Sequence, residues 1–226
     1  MDKKGGTMTR VAYHKALKEL ENDVVEMANM VGSAVKLSID ALKNRDISMS
    51  QKIIKDDSII NKKRFDIEEK CLLLIATQQP MATDLRELAA ILSIITDLER
   101  IGDHAEGNAK ITLLLGDKPL VQPLVDIPKM ADIGLAMLDD SIKTFIARDA
   151  ETAKKIGHRD DEVDAIYDKT YRELLMLMIE NPKIVEGATY LIWVLHNLER
   201  IADRVTNIAE RVVFMVTGKM EEMNVS

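Results

Sequence analysis

Apolar residues return every three or four positions along nearly the whole chain. From Thr9 to Asn44 the recurring set is Leu17, Leu20, Val24, Met27, Val31, Val35 and Ile39, the step of one helical face. The same period predicts a second helix from about Ser48 to Thr77, closed by Pro80. A third starts near Ala82, in the segment "QQPMATDLR" with Thr83 or Asp84 as N-cap, and fades at Gly116. The stretch "GDKPLVQPLVDIP" then gathers Pro119, Pro123 and Pro128, the best domain boundary in the chain. Beyond it the pattern predicts a fourth helix over Pro128–Ala147, a fifth over Asp149–Glu180 and a sixth over Lys183–Val216, with Pro182 between the last two. Strand signals are absent: there is no sustained alternation and no Asn-Gly or Asp-Gly hairpin. The expected fold is all-α, two three-helix bundles in tandem, residues 1–118 and 119–226, with residues 1–8 a loose tail. Helices of thirty residues or more predict an elongated molecule, since globular helices average roughly 10–14.

The two halves share more than a pattern. "DLERIGDHAEGNA" runs from Asp97 to Ala109, and one hundred positions later "NLERIADRVTNIA" runs from Asn197 to Ala209. Within Leu-Glu-Arg-Ile-x-Asp only Gly102 and Ala202 differ. Solenoid repeats are about 20–50 residues long, so this longer period points to a duplicated domain.

At about 100° per residue, positions four and eleven apart on a helix nearly coincide in angle. Glu199, Asp203, Asn207 and Glu210 therefore form one stripe, and Glu99, Asp103 and Glu106 form its counterpart. The core stripe of the third helix runs through Ile91, Ile94, Leu98, Ile101 and Ala105. It lies roughly 130° from the acids, which should be partly accessible on the bundle flank. Further stripes precede each motif: Asp57, Asn61 and Glu68 on the second helix, and Asp160, Asp164 and Asp168 on the fifth. Like charges four apart cost a few tenths of a kcal/mol per pair, so a fourfold repetition needs a reason. Two readings are open. The acids are a solvated face paired with Arg64, Arg100, Arg200 or Arg204, or they are a multicarboxylate site for a hard cation.

Composition narrows the remainder. The chain of 226 residues is 46% hydrophobic and only 4% aromatic, with 13 Met, which suits helices packed through flexible aliphatic side chains. With 31 basic against 38 acidic residues the net charge is −7, and no basic block interleaves with aromatics. A direct nucleic-acid partner is not expected. The single Cys71 cannot form an internal disulfide, which fits a reducing cytoplasm. No apolar run approaches the roughly 18 residues of a membrane span, and "MDKKGGT" lacks the apolar stretch of a signal peptide. The expectation is a soluble protein whose membrane association, with no polybasic patch, is indirect.

Catalytic constellations are not found. Ferritin-type carboxylate centres need Glu-x-x-His on two helices, and His-Glu-x-x-His is also missing. "GDHAEGNA" has the Gly-x4-Gly spacing of a phosphate loop, but Asn108 stands where the lysine belongs and the segment lies within a helix. His104 beside Asp103 could be a ligand or proton carrier, but its counterpart is Arg204, so it is read as a surface histidine. Trp193, Met176 and Met178 sit at helical spacing and are read as core. Arg86 is read as a surface residue or the holder of a nearby carboxylate. A carboxylate hydrolase finds no nucleophile–base arrangement to support it.

"QQPMATDLR", "LERIGDHAEGNA" and "LERIADRVTNIAE", with the helix openings "DDSIIN" and "DDEVD", closely resemble the PhoU family over nearly the whole chain. The resemblance implies two three-helix bundles and a non-enzymatic, cytoplasmic, homodimeric regulator that restrains the phosphate-starvation response. It also implies contacts with the ATPase subunit of a phosphate importer and with a sensor histidine kinase. On the acidic motif it implies a cluster of iron, or of another divalent or trivalent metal such as zinc, nickel or calcium. Glu99, Asp103, Glu199 and Asp203 are the motif positions. The first copy departs from the family pattern at Gly107-Asn108-Ala109-Lys110, setting Lys110 on its own acidic stripe, and the second has Arg204 in place of histidine. The rival reading is a helical protein that stores or buffers metal.

Overall fold

In a computed structural model, residues 4–116, 118, 121 and 126–223 are described. Helix α1 spans Lys4–Asn44, α2 Ile47–Gln78 and α3 Thr83–Leu115. In the second half α4 spans Asp126–Ala147, α5 Ala150–Gly157, α6 Asp160–Glu180 and α7 Val185–Thr217, with a 3-10 turn at Pro182–Ile184. No strand occurs among the described residues. The chain is all-α, a doubled helical bundle in which α5 and α6 together take the place that α2 holds in the first half.

The expected apolar face of α1 is the one buried, from Leu17 at 5% exposure to Val31 at 0%. On α3, Ile91, Ile94, Leu98, Ile101 and Ala105 are all fully buried. Burying each large aliphatic side chain contributes about 1.5–3 kcal/mol. Helix α3 packs most extensively on α7, and α1 also meets α4, so one core runs through both halves.

Four sequence-based expectations are corrected. The fifth helix breaks between Gly157 and Asp160, where Gly157, a poor helix former, ends α5 and Met223 packs against it. A Cβ there would stand 2.8 Å from that of Met223. Apolar spacing continues across the break through Ala153, Ile156 and Val163, which hides it from periodicity. Residues 4–8, read as tail, are helical, while residues 1–3 lie outside the described residues. Neither Thr83 nor Asp84 caps α3; the cap position is Ala82, without a side-chain hydrogen bond. Trp193 and Met176, read as core, are 48% and 56% exposed, whereas Met178 does pack against the core. Pro119 and Pro123 of the expected boundary lie outside the described residues, and Pro128 falls in the first turn of α4.

The connections between α1 and α2 and between α4 and α5 have one design. Arg45 and Arg148 each adopt a left-handed conformation, with φ of 55° and 54°. The next residue, Asp46 or Asp149, accepts a hydrogen bond from the backbone of Met49 or Thr152. Its own N–H returns to Ala41 O at 2.9 Å or Thr144 O at 3.0 Å, closing one helix while capping the next.

Candidate functional site

Helices α2 and α3 bring the first acidic stripes together. Asp57 lies over Gly102, its Oδ1 3.6 Å from where a Cβ on that glycine would stand. Burial raises the Asp57 pKa, and Glu106, Asp103 and Glu99 on α3 add to the rise. Asn61 donates to Asp57 Oδ2 at 2.8 Å. Asp57 Oδ1 and Asn61 Oδ1 are buried without hydrogen-bond partners among the described residues. Glu68 has turned to Arg64, 3.5 Å away.

Helices α6 and α7 repeat the arrangement. Burial raises Asp164, and Asp203, Asp161 and Asp168 add to it. Glu199 is raised by burial and by Asp203 and Asp164, against the opposing charge of Arg200. Asp160, the counterpart of Asp57, is buried at the start of α6 at 3% exposure. Asp168 pairs with Arg172 at 3.3 Å.

The stripes are neither bare nor ready-made. Arg100 reaches Asp103 and Arg200 reaches Asp203, both at 3.2 Å, and each also lies near the preceding glutamate. Lys110 binds Glu106 at 2.6 Å, as its place on the stripe suggested. Among the described residues no three His, Cys, Asp or Glu side chains converge as an ion cage. The donors are oxygens suited to a hard cation, but Arg100, Arg200 and Lys110 would have to be displaced first.

Asn207 and Glu210 share the stripe's angle but have other partners. Asn207 Nδ2 faces Asp97 Oδ1 across the α3–α7 contact at 3.4 Å, and Glu210 Oε1 accepts the backbone N–H of Met223 at 2.8 Å. The same contact overturns the reading of His104 as a surface residue. It is half-buried, with Nδ1 3.3 Å from Asn197 Oδ1, and burial lowers its pKa. Asn197 also donates to Asn108 at 2.9 Å. Arg204, the counterpart of His104, lies 3.5 Å from Asp97. Residues 97 and 104 thus meet residues 204 and 197 around an approximate twofold axis. The signal was present in the sequence: outside Gly102 and Ala202, the aligned stretch "DLERIGDH" differs from "NLERIADR" only at these four interface positions. Among the described residues Arg86 holds no carboxylate within ion-pair distance; it donates to Thr83 at 3.2 Å and packs against Gly218.

The model of the PhoU domain matches twice, at residues 24–112 and 127–212. A Rhizobium meliloti protein named "Phosphate-specific transport system accessory protein PhoU homolog" is 37% identical over 208 residues, 92% of this chain and 88% of its own length. A Clostridium acetobutylicum protein of the same name is 36% identical over 218 residues, 96% of this chain and all of its own. Among solved structures, the phosphate transport system regulatory protein PhoU from Streptococcus pneumoniae superposes with a TM-score of 0.87 at 32% identity, covering 92% of this chain and 99% of that one. PhoU from Pseudomonas aeruginosa does so with the same score at 30% identity, covering 92% of this chain and all of that one. The doubled acidic helices, the duplicated bundle and these likenesses agree, and the chain belongs to the PhoU family.

Proposed function

We propose that this protein is a cytoplasmic regulatory adaptor of phosphate uptake and phosphate-starvation signalling, acting as a homodimer. It holds the response down by docking on the importer's ATPase subunit and on a sensor histidine kinase, biasing their conformational equilibria. The observation that carries the reading is the doubled acidic helix pair on a scaffold that matches phosphate-transport accessory proteins over nearly its whole length. No helix among the described residues is long and apolar enough to cross a membrane, so the adaptor reaches the importer through protein contacts. The test is deletion of the gene with measurement of phosphate uptake and of a starvation-response reporter in replete medium. Derepression is expected; unchanged uptake and reporter would overturn the reading.

In this reading metal is a regulatory ligand. Asp57, Asn61, Glu99, Asp103 and Glu106 would hold it in the first half, and Asp164, Glu199 and Asp203 in the second. Iron, zinc or a similar cation would neutralise the acids whose charges raise the pKa of Asp57, Asp164 and Glu199. Asp203→Asn keeps the shape and removes a charge. Without metal its unfolding temperature should be unchanged or slightly higher, as repulsion is relieved. With metal a hundredfold above its dissociation constant it should lose a linkage term of about 2.7 kcal/mol. Asp103→Asn should lose less, because Lys110 already occupies Glu106. Equal metal responses in wild type and both variants would return the acids to a solvated face. Many ions per chain would favour metal storage.

A further inference from the structure

Away from the acidic motifs, the two halves are joined by one arginine and two buried glutamates. Glu21 on α1 and Glu87 on α3 are each only 4% exposed. Arg148, at the left-handed corner between α4 and α5, brings Nη2 to 2.8 Å from Glu21 Oε1 and 2.6 Å from Glu87 Oε1. Lys18 on α1 holds the other oxygen of Glu21 at 2.7 Å. Asp84 on α3 and Tyr13 on α1 complete the charged and titratable surroundings, with Cys71 of α2 behind the tyrosine.

We propose that Glu21, Glu87 and Arg148 form a proton-linked clasp between the halves, closed most firmly when the two carboxylates share one proton. A single guanidinium nitrogen serves two acids that share one buried space. Two full negative charges there repel each other in a medium that screens them poorly. One proton between them turns the repulsion into a hydrogen bond and leaves Arg148 and Lys18 facing one net charge and the Asp84 carboxylate beyond.

The acids divide the roles. Burial drives Glu87 up to about 7, reinforced by Glu21 and Asp84 and opposed by Arg148. Burial also acts on Glu21, but the hydrogen bonds of Lys18 and Arg148 outweigh it and hold its pKa low. Glu87 is therefore the proton's site. Tyr13, raised to about 12 by burial and by Asp84 and Glu87, and Cys71, also raised to about 12, keep their protons throughout.

When the corner swings away, Glu87 loses Arg148, whose charge lowers its pKa, but it also meets water, and because burial is the larger influence its pKa falls back toward the ordinary carboxylate range. The closed form thus binds the proton more tightly than the open one. Its advantage is complete below the ordinary glutamate value and is lost as pH rises through about 7. Acidification fastens the second half to the first; alkalinisation loosens it.

The test is hydrogen exchange at the backbone amides of residues 146–152 in the intact protein, corrected for intrinsic rates, between about pH 5 and about pH 8. Wild-type protection should fall by roughly 50- to 100-fold across that range. Glu87→Gln, neutral at every pH, should hold the corner at its low-pH level, and Glu21→Gln should move the transition to lower pH. Carboxyl NMR titration of Glu87 in the wild type gives a reading that needs no variant. An ordinary carboxylate midpoint for Glu87 would overturn the proposal, and so would equal pH dependence in wild type and Glu87→Gln.

Discussion

Gly102 is the one position within the repeated six-residue motif where the halves differ, and its surroundings say that it need not be glycine. A Cβ there would meet Ile60 at 3.4 Å and Asp57 Oδ1 at 3.6 Å, ordinary contact distances. Gly102→Ala should stabilise the protein by about 0.5–1 kcal/mol through helix propensity, measured as a rise in the denaturation midpoint. A fall would show that Asp57 needs the open space. Asp57 itself offers a second prediction. Its pKa is raised by burial and by the acids of α3, so it favours the folded state when protonated and ceases to as pH rises through that raised value. Asp57→Asn should leave the metal-free protein as stable or more stable at neutral pH and flatten its stability across the acidic range. Unaltered acid-range behaviour in pH-dependent unfolding would count against it. Helical angle alone was enough to put Glu99 on one stripe with Asp103, and Glu199 with Asp203; that α2 brings Asp57, and α6 brings Asp164, up to those stripes is seen only in the packing of the helices. The angle was not enough for Asn207 and Glu210, because a helical wheel says nothing of what the neighbouring helix or the chain end offers.

At the scale of elements, the two arginine–aspartate corners show how a helix pair is joined in the space of one or two residues. Asp46→Ala removes the N-cap of α2 and should cost about 1 kcal/mol; Asp149→Ala should act in the same direction on α5. The arginines before them separate two effects. Arg45→Gly relieves a left-handed backbone and should stabilise by about 0.5 kcal/mol. Arg148→Gly relieves the same strain but leaves Glu21 and Glu87 without their shared donor, so it should be destabilising. Chemical denaturation of both variants compares them directly, and equal effects would mean that the contacts of Arg148 contribute nothing. Most helices were visible in the apolar period because burial imposes it. The break at Gly157 was not, since Ile156 and Val163 keep the period on either side, and Met223, which packs against Gly157, comes from the far end of the chain. The corners were visible in outline as "NRDIS" and "ARDAE", but the left-handed geometry that makes them alike is a property of the backbone.

For the whole molecule, the α3–α7 contact belongs to the core. Residues 1–118 expressed alone would expose the faces of α1 and α3 that α4 and α7 cover. They should self-associate or aggregate in size-exclusion chromatography with light scattering, and co-expression with residues 119–226 should restore a one-to-one complex. A stable monomeric half would show that the core is divisible. The crossed pairs at that contact say which assemblies the fragments would prefer. A first half bound to its own copy would set Asp97 against His104 twice, which is a full ion pair only with a protonated imidazole. A second half bound to its own copy would set Asn197 against Arg204 and leave both guanidinium groups without the acid they now have. Only the mixed pairing gives Arg204 its aspartate and His104 its amide. Four side chains thus bias the fragments toward the mixed pairing, as complementary subunits of a heterodimer would be.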